Sequence, residues 1–143
     1  MPKFEGWLRI LLGLSLVIIV FGLFIALLNG TSLFRPFGDQ FDQAFWPSGG
    51  ITDQERHFQQ WTYGLLGATM VGWGTIMLFI VKNAFPKREK WAWNGVLFGA
   101  LAWYLIDTSI SGYYGVGANV LLNTAIMVLF LIPLMAIRRE MNR

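Results

Sequence analysis

Four long apolar stretches are separated by shorter polar ones along the chain. A membrane-spanning helix needs about 20 mostly apolar residues, and four segments satisfy that requirement. They are Trp7–Leu28, Phe58–Val81, Trp91–Ile110 and Gly117–Ile137. Because none of the connecting stretches is apolar enough to cross, the pattern predicts an all-α membrane protein. We expect a bundle of four transmembrane helices that forms a single domain over residues 1–143.

The first connection, residues 29–57, carries a different pattern. Phe34, Phe37, Phe41 and Phe45 recur at spacings of three and four, with Asp and Gln between them. This spacing predicts a short amphipathic helix in the outer loop between spans one and two. One hypothesis has this helix lying on the outer leaflet or capping the bundle, and another makes it a lid over a pocket. Both hypotheses use the same apolar face, so the sequence does not separate them.

The second spanning helix has a clear start signal. The segment Thr52–Glu55 matches a capping box, in which the side chains of Thr52 and Glu55 each accept a hydrogen bond from the backbone N–H of the other residue. We therefore expect this helix to begin near Asp53 and to run to about Lys82, since Pro86 prevents easy continuation. At 1.5 Å per residue it measures roughly 45 Å, more than the hydrocarbon core, so its first turn projects outward with His57.

Composition supports a lipid environment. Hydrophobic residues make up 55% of the chain and charged residues only 13%, whereas soluble domains carry about 25% charged residues. The absence of Cys excludes disulfides, thiolate metal sites and Cys nucleophiles. The basic residues stand beside the span ends rather than in a patch with base-stacking aromatics, which excludes nucleic-acid binding.

The distribution of charge predicts the orientation. Basic residues flank the start of span one, fill the link between spans two and three, and follow span four: Lys3, Arg9, Lys82, Lys87, Arg88, Lys90, Arg138, Arg139 and Arg143. The opposite side is mostly acidic. The positive-inside rule therefore places both termini in the cytoplasm, with the chain in the cytoplasmic (inner) membrane.

Span one has an alternative interpretation as a cleaved signal peptide. Its apolar run exceeds the usual 7–15 residues, and no clear small-residue cleavage site follows it. We therefore expect span one to be retained.

Aromatic residues near the span ends are typical of the interfacial belt of a membrane protein. On this basis one set marks the cytoplasmic interface and another the outer one: Trp7, Trp91 and Trp93; Trp61, Tyr63, Tyr113 and Tyr114. No ligand is assigned to any of them.

Small residues at intervals of four predict where helices approach closely. Gly64, Ala68 and Gly72 share a face of span two, and Gly95 and Gly99 share a face of span three. In lipid, such faces allow close backbone approach. We expect spans two and three to meet through them, with homodimerisation through one face as the alternative.

Asp107 is the only ionisable side chain well inside any span. A carboxylate at the centre of a spanning helix costs about 2.5–3.5 kcal/mol, so it needs a partner, water or a function. Asp107 lies 16 residues beyond Trp91, roughly 24 Å from the cytoplasmic interface. Asn119 and Asn123 share one face of span four at a similar level. The polar groups therefore gather at the outer end of the bundle.

Five candidate ligand-binding residues follow: Asp107, Asn119, Asn123, Thr108 and His57. One hypothesis makes Asp107 an internal fastener that accepts from the amides and hydroxyls. A second makes the cluster an outward-open pocket for a lipid headgroup or small polar ligand. A third pairs Asp107 with His57 as acid and base. Because no nucleophile or metal constellation accompanies them, no catalytic residue, metal ligand or cofactor is assigned.

The family resemblance rests on these residues: Trp61 to Trp73 with Gly64, Gly67, Ala68 and Gly72-Trp73-Gly74; Trp91-Ala92-Trp93-Asn94; Trp103-Tyr104; Asp107-Thr108; Asn119; and Asn123-Thr124. In them the chain resembles an uncharacterised group of small bacterial four-span integral membrane proteins. Its four-span plan is also broadly similar to DoxX-like and EXPERA-type proteins. Neither resemblance implies an activity or a site residue, because fold analogy does not transfer function.

The sequence favours a non-enzymatic, multi-pass membrane protein. It would bind a lipid-like or small polar ligand at its outer end, or serve as an accessory subunit of a membrane complex. The alternatives are a small membrane enzyme that acts on a lipid and an oligomeric transporter. The expected partners are the lipid bilayer, a lipid or small-molecule ligand, and another copy or a membrane-complex subunit.

Overall fold

The computed structural model describes residues 2–47 and 50–141. Within these residues the chain forms five α-helices, namely α1 (Pro2–Leu28), α2 (Arg35–Phe45), α3 (Asp53–Asn83), α4 (Lys90–Tyr113) and α5 (Gly117–Met141). All but α2 are long and apolar enough to cross a membrane. The four predicted spans are therefore confirmed as helices of spanning length.

The start of α3 follows the predicted capping box. The hydroxyl of Thr52 accepts from the backbone N–H of Glu55 at 3.3 Å, and the Glu55 carboxylate accepts from the backbone N–H of Thr52 at 2.8 Å. α3 then continues for 31 residues, roughly 46 Å at 1.5 Å per residue. It ends before Pro86, and Arg88, with φ at 56°, turns the chain towards α4.

Glycines bring α1 and α3 into close contact. A Cβ added to Gly22 would lie 2.8 Å from the carbonyl oxygen of Gly67, and a Cβ on Gly67 would collide with the backbone of Gly22 and Ala26. Two helical turns further along α3, Gly74 faces isoleucine side chains of α1. This approach is possible because no side chain separates the two backbones.

The expectation that spans two and three meet through their small residues is wrong. α3 and α4 make few contacts, whereas α1 packs on α3 and α5, and α5 packs on α4. A Cβ on Gly72, Gly95 or Gly99 would meet nothing within 4 Å. The short link joins only the ends of α3 and α4. The four long helices therefore form a ring whose α3–α4 side is loosely packed.

The apolar core lies towards the end of the bundle that contains the α3–α4 link, which we call the linker end. Phe4, Phe85 and Met141 belong to the same buried cluster there. The cluster extends along the bundle axis as far as Ala100 on α4 and Met127 on α5. Beyond that level the side chains between α4 and α5 become polar.

The opposite end, which we call the α2 end, is covered by aromatic rings. The ring of Phe34, a residue only 4% exposed, lies 5.1 Å from that of Tyr63 on α3. Phe37 contacts Phe21 of α1 at 5.4 Å, and Phe41 contacts Tyr63 at 5.8 Å. Phe34, Phe37 and Phe41 therefore pack on α1 and α3, whereas the ring of Phe45 contacts that of Tyr114, which follows α4, at 5.8 Å.

Of the aromatic residues assigned to the membrane interface, Trp93 is instead packed inside the protein, and Tyr63 is half-buried. Trp93 is only 7% exposed, and its Nε1–H donates to the carbonyl of Leu134 at 2.8 Å. Tyr63 lies among the rings beneath α2. Trp91, by contrast, is 62% exposed, as expected of a residue at the interface.

Candidate ligand site between α4 and α5

The candidate site forms where α4 ends and α5 begins. A tight turn joins the two helices, and Gly115 takes a positive φ of 72° in it, a conformation that glycine adopts without a steric penalty. The turn makes α4 and α5 antiparallel neighbours. It therefore brings Asp107, near the end of α4, level with Asn119 and Asn123, near the start of α5.

Three donors converge on one oxygen of Asp107. Nδ2 of Asn119 and Nδ2 of Asn123 each donate to Oδ1 at 2.8 Å. The hydroxyl of Ser111, one turn along α4, donates to the same oxygen at 3.1 Å. Both amide nitrogens face the carboxylate because an amide oxygen there would meet a second acceptor. The structure thus brings three of the five candidate residues into direct contact.

The two amide groups have further contacts close to the carboxylate. Nδ2 of Asn119 also donates to Oγ of Ser111 at 2.7 Å. Nδ2 of Asn123 lies 3.5 Å from Oγ1 of Thr108, a long contact. Asn123 is 3% exposed and Ser111 is 7% exposed, whereas Asp107 and Asn119 are half-buried. The amide nitrogens are therefore directed inward, towards the carboxylate.

The second carboxylate oxygen of Asp107 has a different environment. No hydrogen bond within residues 2–47 and 50–141 reaches Oδ2. Among the fully buried side-chain nitrogens and oxygens of these residues, only Nη1 of Arg138 lacks a hydrogen-bond partner. Oδ2 is consequently not sealed inside the protein. One face of the carboxylate is fixed by α5, and the other remains accessible.

A second polar contact closes the site towards the apolar core. The hydroxyls of Tyr104 and Thr124 lie 3.2 Å apart, about one turn deeper than Asp107. Thr124 also donates to the carbonyl of Val120 at 2.8 Å. Sequence reasoning did not include Tyr104 or Ser111 among the site residues. Their positions three before and four after Asp107 place both on the same helical face, a signal that was available.

His57 and Thr108 contribute less than the other candidates. His57 is exposed in the first turns of α3 and makes no hydrogen bond to any described residue of the cluster. Thr108 has only the long contact to Asn123. The structure therefore assembles Asp107, Asn119 and Asn123, with Ser111 as a fourth member, and leaves His57 apart.

A separate polar network fixes α2 to α3. Asp42 accepts from Arg56 at 2.9 Å and from Gln59 at 2.6 Å, using both of its oxygens. Nε1–H of Trp46 donates to Glu55 at 3.0 Å. A shallow hollow of about 410 Å³ adjoins Asp42 and Trp46. Because both carboxylate oxygens of Asp42 are already paired, this network is best explained as an anchor for α2.

The described residues contain no group of three or more His, Cys, Asp or Glu side chains that could hold a metal ion. Between α3 and α4, next to the stacked rings of Trp73 and Trp103, lies an apolar cavity of about 120 Å³. It has none of the convergent polar groups that fix a ligand's orientation. The α4–α5 cluster is therefore the strongest candidate site.

Comparison with protein-family models, with curated proteins and with solved structures finds no match to this chain.

Proposed function

We propose that this chain is a multi-pass protein of the bacterial cytoplasmic membrane that binds a small polar or lipid-like ligand through Asp107, Asn119 and Asn123. In this proposal the linker end faces the cytoplasm and α2 lies on the outer side. The basic residues of the α3–α4 link and of the end of α5 support this orientation through the positive-inside rule. In this orientation the ligand site lies in the outer part of the bilayer.

The observation that carries the proposal is the unequal use of the two carboxylate oxygens of Asp107. Oδ1 accepts three hydrogen bonds, and Oδ2 accepts none from the described residues. A carboxylate within a membrane span is costly and commonly marks a functional site. The internal-fastener hypothesis accounts for Oδ1 but gives Oδ2 no role. A ligand that bonds to Oδ2 accounts for both oxygens.

The catalytic alternative has less support. An acid–base pair of Asp107 and His57 needs the two side chains within hydrogen-bond reach, directly or through one water. His57 is exposed on α3 and has no hydrogen bond to the cluster, and α3 makes few contacts with α4. A binding role for Asp107 requires no such approach.

The role of an accessory subunit has one specific observation in its favour. Gly95 and Gly99 form a small-residue face on α4, and a Cβ added at either position would meet no atom of the described residues within 4 Å. Such faces allow close approach of another spanning helix. This role is compatible with ligand binding, because Gly95 and Gly99 lie two turns or more away from Asp107 along α4.

Native mass spectrometry of the purified protein tests the binding proposal. Wild type, Asp107→Asn and Thr75→Val would be prepared in the same detergent and compared for bound small molecules. Thr75→Val is the matched control, since its hydroxyl bonds only to the carbonyl of Val71 in its own helix. We expect a bound species in wild type and in Thr75→Val that Asp107→Asn loses. Equal retention by all three proteins would contradict the proposal.

A further inference from the structure

We infer that the ligand of this site carries a protonated primary amine, and that its ammonium group binds at Oδ2 of Asp107. This inference rests on the proposed function and specifies its ligand class. It follows from which atoms of the cluster remain able to form hydrogen bonds.

The open atoms of the cluster are acceptors. A carboxylate only accepts, and Oδ2 of Asp107 has no described donor. The amide nitrogens of Asn119 and Asn123 are already committed to Oδ1, Ser111 and Thr108. Their carbonyl oxygens accept no hydrogen bond from any residue in the described part of the chain. A ligand with donors therefore fits this site, and a ligand with only acceptors, such as a phosphate ester, does not.

The charge of the cluster points to a cation. Among the residues that the structure describes, no ion pair includes Asp107. Arg56, which enters the bundle from the same end, is paired with Asp42 at 2.9 Å. A carboxylate in a spanning segment needs compensation for its lost hydration, and a cationic ligand supplies it. The three donors on Oδ1 leave the negative charge without a positive partner.

The number and type of ligating groups favour a monovalent ammonium ion. Ca²⁺ is held by six to eight oxygen ligands, commonly from several carboxylates, whereas this cluster has only one carboxylate. A primary ammonium group has three N–H donors. The cluster offers such a group Oδ2 of Asp107 and the carbonyl oxygen of Asn119, which belong to half-buried side chains, whereas Asn123 is buried.

The depth of the site suits an amine near the membrane surface. Asp107 lies six residues before Tyr113, the last residue of α4, which is roughly 9 Å along the helix axis. Apolar side chains are exposed on α4 and α5 at this level, including Ile106, Ile110 and Leu121 at 62%, 54% and 73% exposure. Two sources of the ammonium group satisfy this geometry, an ethanolamine phospholipid and a free small amine.

A series of phospholipids that differ only in headgroup methylation tests the inference. Dioleoyl phosphatidylethanolamine would be compared with its N-monomethyl and N,N-dimethyl derivatives and with dioleoyl phosphatidylcholine. The positive charge, the phosphate and the acyl chains are constant, while the N–H donors fall from three to none. Dioleoyl phosphatidylglycerol serves as the lipid without an amine. Affinities would be measured by native mass spectrometry on wild-type protein in detergent.

We expect wild-type affinity to fall along the methylation series, with phosphatidylethanolamine bound at least about tenfold more tightly than phosphatidylcholine or phosphatidylglycerol, or about 1.4 kcal/mol. Asp107→Asn should remove this preference, and Thr75→Val should keep it. Displacement of phosphatidylethanolamine by excess free ethanolamine would identify a free amine as sufficient. Continued binding of phosphatidylethanolamine in excess ethanolamine would identify the phospholipid as the source of the ammonium group.

Two results would overturn the inference and leave the binding site in place. One is equal or tighter Asp107-dependent binding of phosphatidylglycerol. The other is a tenfold loss of phosphatidylethanolamine when sodium replaces potassium at constant ionic strength, because a metal ion would then compete for the acceptors. Binding of every lipid that is unaffected by Asp107→Asn would instead contradict the proposed function itself. If the variant does not fold, the order of the lipid affinities measured on wild-type protein still tests the inference.

Discussion

Gly22 of α1 and Gly67 of α3 face each other with no side chain between them. A Cβ on Gly22 would come within 2.8 Å of the carbonyl oxygen of Gly67. Real Cβ atoms do not approach a backbone oxygen so closely, and the backbone of a long packed helix does not give way easily. The contact between α1 and α3 therefore depends on glycine at both positions.

Gly67→Ala should destabilise the protein by about 1–3 kcal/mol, the usual cost of overpacking. The added methyl would collide with the backbone of Gly22 and Ala26 and would push α1 away from α3. Thermal unfolding in detergent measures the effect as a lower melting temperature. Gly99→Ala is the matched control, because a Cβ at Gly99 meets nothing within 4 Å. Equal melting temperatures for the two variants would show that the close approach is not needed.

The partner of α3 in this contact was not predicted from the sequence. The small residues at intervals of four, Gly64, Ala68 and Gly72, do not form the close contact of α3, because Ala68 and Gly72 are exposed and α3 approaches α1 through Gly67 and Gly74. The spacing of small residues therefore identified the wrong face of α3, and the short α3–α4 link suggested the wrong partner. α1 lacks a comparable glycine repeat, since Gly22 is its main contribution to the contact. The choice of partner depends on how all four helices pack, which no single face encodes.

The polar cluster was more predictable. Asn119 and Asn123 are four residues apart, so they share a helical face, and helical rise puts Asp107 at their level. The four-residue spacing and the helical rise were sufficient to predict that the three residues lie together. The unequal use of Oδ1 and Oδ2 was not predictable, because it depends on side-chain rotamers. His57 was proposed from depth alone, and depth does not say which way a side chain points around its helix.

Trp93→Phe should lower stability by about 0.5–1.5 kcal/mol, the net value of one hydrogen bond. The substitution removes the indole N–H that bonds to Leu134 at 2.8 Å and weakens the contact of the ring with the Arg138 guanidinium, now 4.6 Å from its centroid. Trp91→Phe is the control, since Trp91 is 62% exposed. Melting temperatures in detergent check the difference. A larger loss for Trp91→Phe would contradict the assignment of Trp93 to the interior.

Asp42→Ala should loosen α2 without unfolding the bundle. It removes the hydrogen bonds from Arg56 and Gln59, while the phenylalanine contacts remain. We expect amide hydrogen exchange in α2 to become roughly tenfold faster, equivalent to about 1.4 kcal/mol of local stability. Asp39→Ala is the control, because Asp39 is exposed on the same helix. Unchanged exchange in Asp42→Ala would mean that the aromatic rings alone hold α2 in place.

Asp107→Leu should destabilise the protein by about 1–3 kcal/mol, the cost of leaving a buried donor unpaired. Asn123, which is 3% exposed, would lose its 2.8 Å acceptor and retain only the 3.5 Å contact with Thr108. Asn119 would still donate to Ser111 at 2.7 Å. The double variant Asp107→Leu/Asn123→Leu removes donor and acceptor together, so it should recover most of the lost melting temperature in detergent. A double variant as unstable as Asp107→Leu would indicate that the stability comes from the shape of the site and not from the carboxylate–amide bond.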